Sequence, residues 1–560
     1  MAQTLRERCQ RRLDGLKLIR QPYEREAREI ASLAQPARSR WLASDANKAI
    51  RQRNTRLNSS HGIFAFRTLQ GGMTSGLSSP SRPWYALQTH DEALNEDPDA
   101  KAWLAVVERL TYAFLAHTNF YSAVKTGYLE LGLFATEACV MMEDPQDGAV
   151  CHQLTFGEYW NGTGPSLRPD TLYRRCPLTV NQVMGFAKRG FFRKEMISRR
   201  ITDAYDRGDY STVCDFYHAI EPNDDMEPGY ADWRGKPFRS FYWDNEDGRH
   251  QGDVDHVHLR GMEEQPFWAP RWDTCGGDVW GTGPGHDALP DLRELQLQVK
   301  RKGEATDRLV KPPIVTDSKT KFNQNPGAAT AVSSADVTKG VYVPYQMPYQ
   351  AVDAVMQDII RCEESVNRAA YADLFMAITN MQGIQPRNIE EIAARNEEKL
   401  TQLGPVIERV NNEKLAVALD RVYGIMSRAN MLPPPPEALQ GQDLKIEFIS
   451  ILTQMQRMVG LGQIERTAGF IGGLVATFPD AGDKLDTDAA IDEYASRAGA
   501  PPKMIRAAKE VEEIRNQRAQ QQNMEAMVNA APAAKDGATA AKVLSEIDQG
   551  SLPIGGAMPL

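Results

Sequence analysis

"PRNIEEIAARNEEKLTQLGPVIERVNNEKLAVALDRVYGIM", residues 386–426, is the stretch on which the fold turns. Pro386 and Asn388 are start signals, a proline and a capping side chain just ahead of Ile389. Apolar residues then recur at Ile389, Ile392, Leu400, Leu403, Ile407, Val410, Leu415, Leu419, Val422 and Met426, mostly in steps of three, four or small multiples of these. The spacing predicts one buried stripe along a single helix of about 40 residues. At about 1.5 Å per residue the rod spans roughly 60 Å, so it crosses an assembly or a large multidomain body. Gly404-Pro405 lies inside the stripe, and a proline there removes a backbone donor, which predicts a kink. The rod ends at "MLPPPP", where Pro433 to Pro436 forbid helix.

Upstream of the rod, "LPDLRELQLQVKRKGEATDRLVKPP" predicts a helix that opens after Pro290 and stops at Pro312-Pro313. A polar stretch, 314–345, separates it from "YQAVDAVMQDIIRCEESVNRAAYADLFMAI", a second helix from Tyr349, and the short loop "TNMQGIQPR" follows. The centre of the chain therefore reads helix, small loop-and-strand insert, helix, short loop, long kinked helix. Nearer the N-terminus, residues 3–34 carry helical spacing, and a second helix runs out in "GGMTSGLSSPSRPWYAL", with Trp84 and Tyr85 anchoring the turn. A long helical tract is expected over 99–143, with short strands from Thr136 and a helix opened by Thr179 or Asn181. Residues 212–280, rich in Trp, Tyr, Phe, Gly and Asp and alternating in "TVCDFYHAI" and "SFYWDN", predict strands. Past the prolines, "DLKIEFIS" is a strand candidate, with helices expected over 450–478, 487–497 and 502–530 and a weakly patterned Ala/Gly-rich tail.

The 560 residues suffice for several domains with sizeable cores. A formal net charge of -9 excludes a strongly basic nucleic-acid clamp, so any DNA contact is local or weak. Seven scattered cysteines without a CxxC pair fit free thiols in a reducing compartment. The charged N-terminus has no secretory pattern, and no apolar tract is long enough to span a bilayer.

Enzyme-like clusters are sparse. "HQGDVDHVHLRG" supplies Asp253, Asp255, His256 and His258, metal-ligand types at close spacing, and on a strand the two histidines share a face. A polar strand edge is the plainer reading, because no further ligand motif or general base accompanies them. "GTGPGH" at 281–286 lacks the lysine of a phosphate loop and reads as a tight turn leading into the helix near Pro290. Ser75 in "GGMTSG" lacks the spacing of a nucleophile elbow. Lys300, Arg301, Lys302, Arg308, Lys311, Lys319 and Lys321 gather positive charge on the first central helix and the insert after it, interleaved with Asp291, Glu294, Glu304, Asp307 and Asp317. A solvated face and a DNA-phosphate contact are both compatible with that mixture.

The order of pieces says more than any motif. "WAPRWDTCGGDVWGTGPGHDALPDLRELQLQ" resembles the signature of the head-to-tail connecting, or portal, proteins of short-tailed bacteriophages, in which an Arg-Trp pair, a Tyr-Gly-Arg-Gly-Pro-like turn and an Ala-Leu-Pro-Asp helix start follow in this order. Trp280 stands where that family usually has tyrosine and Thr282 where arginine is common. "GGMTSGLSSPSRPWYAL", "HTNFY" at 117–121, the long rod and "MLPPPP" agree in order, so the resemblance covers roughly residues 15–460.

The resemblance implies an α+β, predominantly helical portal fold, assembled as a ring of about twelve copies around a central channel. It implies an N-terminal wing over 1–286, a first stem helix over 287–310, a clip over 311–346, a second stem helix over 347–378 and a tunnel loop over 379–388. The long kinked helix and wing return occupy 389–445, a crown 446–500, and a C-terminal helix and tail 501–560. It further implies a virion protein at the capsid portal vertex, made in the host bacterial cytoplasm, with no cofactor and no catalysis of its own. Its partners would be double-stranded DNA held without sequence preference, the terminase large subunit, capsid protein and scaffold, and later tail adaptor and nozzle proteins. Asn380, Gln382, Gln385 and Arg387 are the expected tunnel-loop contacts to DNA, with Lys300, Arg301, Lys319 and Lys321 as basic stem and clip positions. Two alternatives stand beside it: another structural virion adaptor or core protein, and a metal-dependent nucleic-acid hydrolase built on Asp253, Asp255, His256 and His258.

Overall fold

The long rod is present as helix wherever the structure, a computed structural model, describes it. The described residues are 4–38, 57–244 less 92, 93 and 96, 256–312, 315–316, 341–342, 348–380, 402–458 less 443, and parts of 461–521. They fall into two compact units, Met1–Val459 and Gly460–Leu560.

In the first unit, helix α1 (Leu5–Ala34) opens on a capping box formed by Thr4 and Glu7. Its apolar face lies on a five-stranded antiparallel sheet with strand order β4 (Tyr159–Thr163), β5 (Pro169–Thr179), β6 (Val213–Pro222), β7 (Phe238–Asp244) and β8 (His258–Met262). Alternation along the strands feeds two cores. Phe241, Trp243 and Tyr173 pack with Leu13 and Leu16 of α1. Tyr242 and Phe216 pack on the other face with Val183 and Ile201. Those last two belong to short helices, Val180–Lys188, capped by Thr179 as its sequence signals, and Arg199–Asp206.

Helices α2 (His61–Leu77), α3 (Pro98–His117) and α4 (Phe120–Phe134) form the body beside a three-stranded sheet of β3 (Gly148–Leu154), β2 (Ala138–Asp144) and β9 (Phe267–Trp268). The helical tract expected from residue 99 is thus two helices, and the strands expected from Thr136 begin with β2. The break falls at Thr118-Asn119, where Asn119 leaves the helix and exchanges hydrogen bonds with the Cys151 backbone at 2.8 and 2.9 Å. Such side-chain capture of a distant backbone ends a helix without any local apolar interruption. Trp84 and Tyr85 are buried as anchors, and both of their backbone amides donate to the Tyr112 hydroxyl at 2.9 and 3.0 Å.

After a single turn, Pro284–Asp287, comes α5 (Leu289–Val310), then α6 (Tyr349–Ala369) and α7 (Ala372–Asn380). The second central helix is therefore broken at Ala370-Tyr371, where Tyr371 takes a left-handed backbone with φ 52°. Between α5 and α6, two short strands, Val315–Thr316 and Val341–Tyr342, pair antiparallel and close the base of the insert. The rod, α8, is described over 402–428, and helical structure continues through Gly404 and Pro405; residues 389–401 lie outside the described residues. Strand β12 (Leu444–Phe448) then returns to pair with β1 (Tyr85–Thr89). The largest core joins Leu403, Ile407, Val410, Leu415, Leu419, Val422 and Met426 of the rod to side chains of α2, α3 and α4.

The second unit contributes helices Leu461–Val475 and Thr487–Ala498, with Arg515 making a two-point ion pair to Asp488 at 2.6 and 2.7 Å. The helix expected over 502–530 is described only at 511 and 514–521, and the final tail lies outside the described residues.

Candidate functional site

The rod carries its one described irregularity at Asn411–Leu415, a turn of π-helix. A π-turn inserts one residue into an α-helix, so adjacent side chains that would diverge can both face inward. Here they are Glu413 and Lys414, both buried. Lys414 Nζ lies 2.7 Å from Glu137 with both side chains fully buried, and 3.7 Å from the centre of the Tyr128 ring. The Glu137 carboxylate also accepts from Trp268 Nε1 at 3.2 Å. Glu413 meets Arg271 at 2.7 Å, and that guanidinium further donates to the carbonyls of Asp278 at 3.0 Å and Leu167 at 2.7 Å. Burial pushes Glu137 up and Lys414 down, each toward its neutral form, and the attraction between them opposes both shifts.

Farther along the rod the pattern repeats at the rim. Arg421 and Arg428 each bridge Glu143 and Glu264, at 2.5 to 3.2 Å. Against the cost of burial, Arg421, Arg260 and Arg428 hold the Glu143 carboxyl below its ordinary value. The rod is thereby tied in rotation and in axial position by ion pairs to distant segments of the chain. Removing one partner of a buried pair typically costs about 3–5 kcal/mol.

Glu137 opens the segment that receives this network. Ala135 ends α4 in a left-handed conformation, φ 54°, and its carbonyl accepts from the Trp272 amide at 2.8 Å. The glycine-rich run 281–286 packs into the same corner. A Cβ at Gly281 would overlap the Ala135 carbonyl and one at Gly285 the Leu133 carbonyl, while the Gly281 amide donates to Thr136 Oγ1 at 2.9 Å. These glycines buy close approach between backbones, as the tight-turn reading of "GTGPGH" expects. Arg271 and Trp272, the Arg-Trp pair of the sequence, thus tie the start of α5 to the π-turn of the rod.

Of the four basic stem and clip positions expected, two are described, both on α5. Lys300 and Arg301 are exposed on α5, and Lys300 lies 3.9 Å from Glu304 one turn on. Lys319 and Lys321 lie outside the described residues, as do Gln382, Gln385 and Arg387. Asn380 is the last residue of α7, and its side chain is not among those described. The hairpin is built on Leu295, Ile359 and Cys362, with Val299 and Val355 alongside. Its base is held by Gln296, which accepts from the amides of Asn58 and Ser59 at 2.7 and 3.0 Å, and by His61 against Asn367 at 3.0 Å.

The histidine pair is divided between packing roles. His258 stacks on the Phe191 ring at 4.2 Å, and burial pushes its pKa down to about 4. His256 lies against Phe241 at 5.7 Å. Asp253 and Asp255 lie outside the described residues, and among the described residues no three His, Cys, Asp or Glu side chains gather as metal ligands.

Sequence reasoning missed the buried charges of the rod, although a signal was there. The apolar stripe steps by five between Val410 and Leu415, one more than an α-helix allows on a fixed face, and Glu413-Lys414 fall in that gap. A step of five is the spacing of a π-turn.

The chain matches one known family and two named relatives. The family described as bacteriophage head to tail connecting protein matches residues 6–505. The portal protein of Salmonella phage epsilon15 is 36% identical over 553 residues, 98% of this chain and 96% of the relative. The probable portal protein of Bordetella phage BPP-1 is 34% identical over 526 residues, 93% of this chain and 92% of the relative.

Proposed function

This chain belongs to the bacteriophage head to tail connecting protein family, and from that membership we propose that its copies form a ring at one capsid vertex through which double-stranded DNA enters and leaves. The chain serves as the portal protein of a phage virion. The family match carries this reading, since it covers residues 6–505 and so takes in α1, both central helices and the rod together.

In the ring, the α5–α6 hairpin is the stem, the insert between them the clip, residues 379–388 the tunnel loop, 446–500 the crown, and 501–560 the C-terminal helix and tail. The clip docks the terminase large subunit during packaging and tail adaptor and nozzle proteins afterwards, while capsid protein and scaffold hold the wing. ATP hydrolysis belongs to the motor. The portal contributes a rigid bore whose polar loop residues, Asn380, Gln382, Gln385 and Arg387, touch passing DNA without gripping it. A net charge of -9 suits that role, because every firm Lys or Arg contact to phosphate adds salt-dependent affinity and drag.

Electron microscopy of the purified chain tests the proposal. Rings of about twelve copies with a channel wide enough for a duplex are the expected result. Monomers or closed dimers across a range of salt would overturn it.

A further inference from the structure

We propose that neighbouring copies meet along the α5–α6 hairpin through a height-matched charge seam, the outer face of α5 on one copy against the outer face of α6 on the next. The inference deepens the ring reading and rests on it. A two-helix hairpin buries only its inner faces, and here Leu295, Ile359 and Cys362 form that inner core. The opposite faces carry Leu297, 46% exposed, and Ile360, 43% exposed, which no described residue covers.

The heights follow from the cores. Leu292 shares a core with Val366 and Ala370, and Leu295 shares one with Ile359 and Cys362, so residue numbers fall along α6 as they rise along α5. Leu297 and Ile360 therefore sit at one level. At about 1.5 Å per residue, Asp353 lies roughly 10 Å further along the hairpin, between the levels of Arg301 at about 6 Å and Arg308 at about 16 Å. In the other direction Glu364 stands level with Arg293, which already holds Glu29. Arg301, Arg308, Asp353 and Glu364 are exposed or half-exposed, and none makes an ion pair to another described residue. Of the other charges on these helices, Lys300 lies 3.9 Å from Glu304, Arg361 3.7 Å from Asp358, and Glu363 3.8 Å from His61 of α2.

The outer face of α5 thus presents Arg301 and Arg308 beyond one end of an apolar centre, and the outer face of α6 presents Asp353 at the matching height beyond another. Rotation about an axis along the hairpin brings one face onto the other without changing height. That is the geometry of a heterologous contact that closes into a ring. Two like faces, by contrast, would set arginine against arginine.

The test is charge reversal in the full chain, read by native mass spectrometry and sedimentation. Asp353→Arg alone, or Arg301→Glu with Arg308→Glu, is expected to weaken assembly by about tenfold or more, and the combination of all three to restore it. Independently, Leu297→Cys with Ile360→Cys under mild oxidation is expected to give a ladder of covalent multimers beyond the dimer. These two sites face away from each other within one chain, so the ladder reports contact between copies. Reversals that leave assembly unchanged, failure of the combined variant to reassemble, or a cysteine product that stops at dimer would each overturn the seam. Failure of the unaltered chain to form rings would instead overturn the function proposed above.

Discussion

The rod and the hairpin are both long helices rich in charge, yet they place it in opposite ways. On α8 the charges Glu413, Lys414 and Arg421 are buried and each is bound to a partner from a distant segment. On α5 and α6 the charges stand at the surface, and several have no partner in the described chain. Buried ion pairs return little net stability, because desolvation offsets attraction, but they penalise every alternative arrangement. The rod therefore uses charge to fix where it lies within one chain. The hairpin keeps its charge for contacts made outside it.

The comparison breaks most visibly if the rod's charges prove dispensable. Lys414→Met strands a buried carboxylate and is expected to cost about 3–5 kcal/mol in chemical denaturation, with Glu137→Leu added in the same chain recovering most of the loss. Arg271→Ala removes the Glu413 pair and two carbonyl contacts, with an expected cost of about 3 kcal/mol. Arg271→Lys is expected to recover only part of it, since an ammonium cannot serve carboxylate and carbonyls in the planar fork.

A smaller effect comes from the five-stranded sheet, which buries a titratable group without a counter-charge. His218 accepts from Arg174 Nε at 2.9 Å through Nδ1 and bonds Ser240 through Nε2 at 2.8 Å, so the neutral ring fits and a protonated one would face a donor. Burial, then Arg174, hold its pKa well below the ordinary value. A depressed folded pKa contributes stability above the unfolded value of about 6.5 and loses it as pH falls. Between pH 7.5 and 5 the loss from this one residue is expected to be at most about 2 kcal/mol, and His218→Gln should flatten the melting-temperature profile over that window.

The smallest effect sharpens the contrast from the other side. Arg301→Glu is expected to move the melting temperature of the dissociated subunit by less than about 2 °C, because an exposed unpaired side chain contributes little to its own fold. A large shift would mean that the hairpin, like the rod, uses its charges internally.

Much of the helical framework was legible in the sequence. Pro290, Tyr349 and Thr179 mark helix starts that the structure keeps, and the alternation in "SFYWDN" becomes β7. The breaks at Asn119 and Tyr371 were not legible, since each is made by tertiary contact or backbone strain and leaves the apolar spacing intact. The expected kink at Gly404-Pro405 has a described neighbour six residues on, the π-turn, whose trace was the step of five. The candidate DNA contacts were placed by resemblance alone, and most fall outside the described residues.

The π-turn also sets how long the rod must be. Geometrically, the turn at Asn411–Leu415 gives the rod one residue more than a regular helix of the same rise would hold. Deleting one codon between Asn411 and Glu413 would return a regular helix with the stripe above and below it in register, but with room inside for only one of the two charges. The extra residue and its two distant partners, Arg271 and Glu137, are therefore coupled: shortening the rod by one residue is expected to be tolerated better when one of those partners is removed with it.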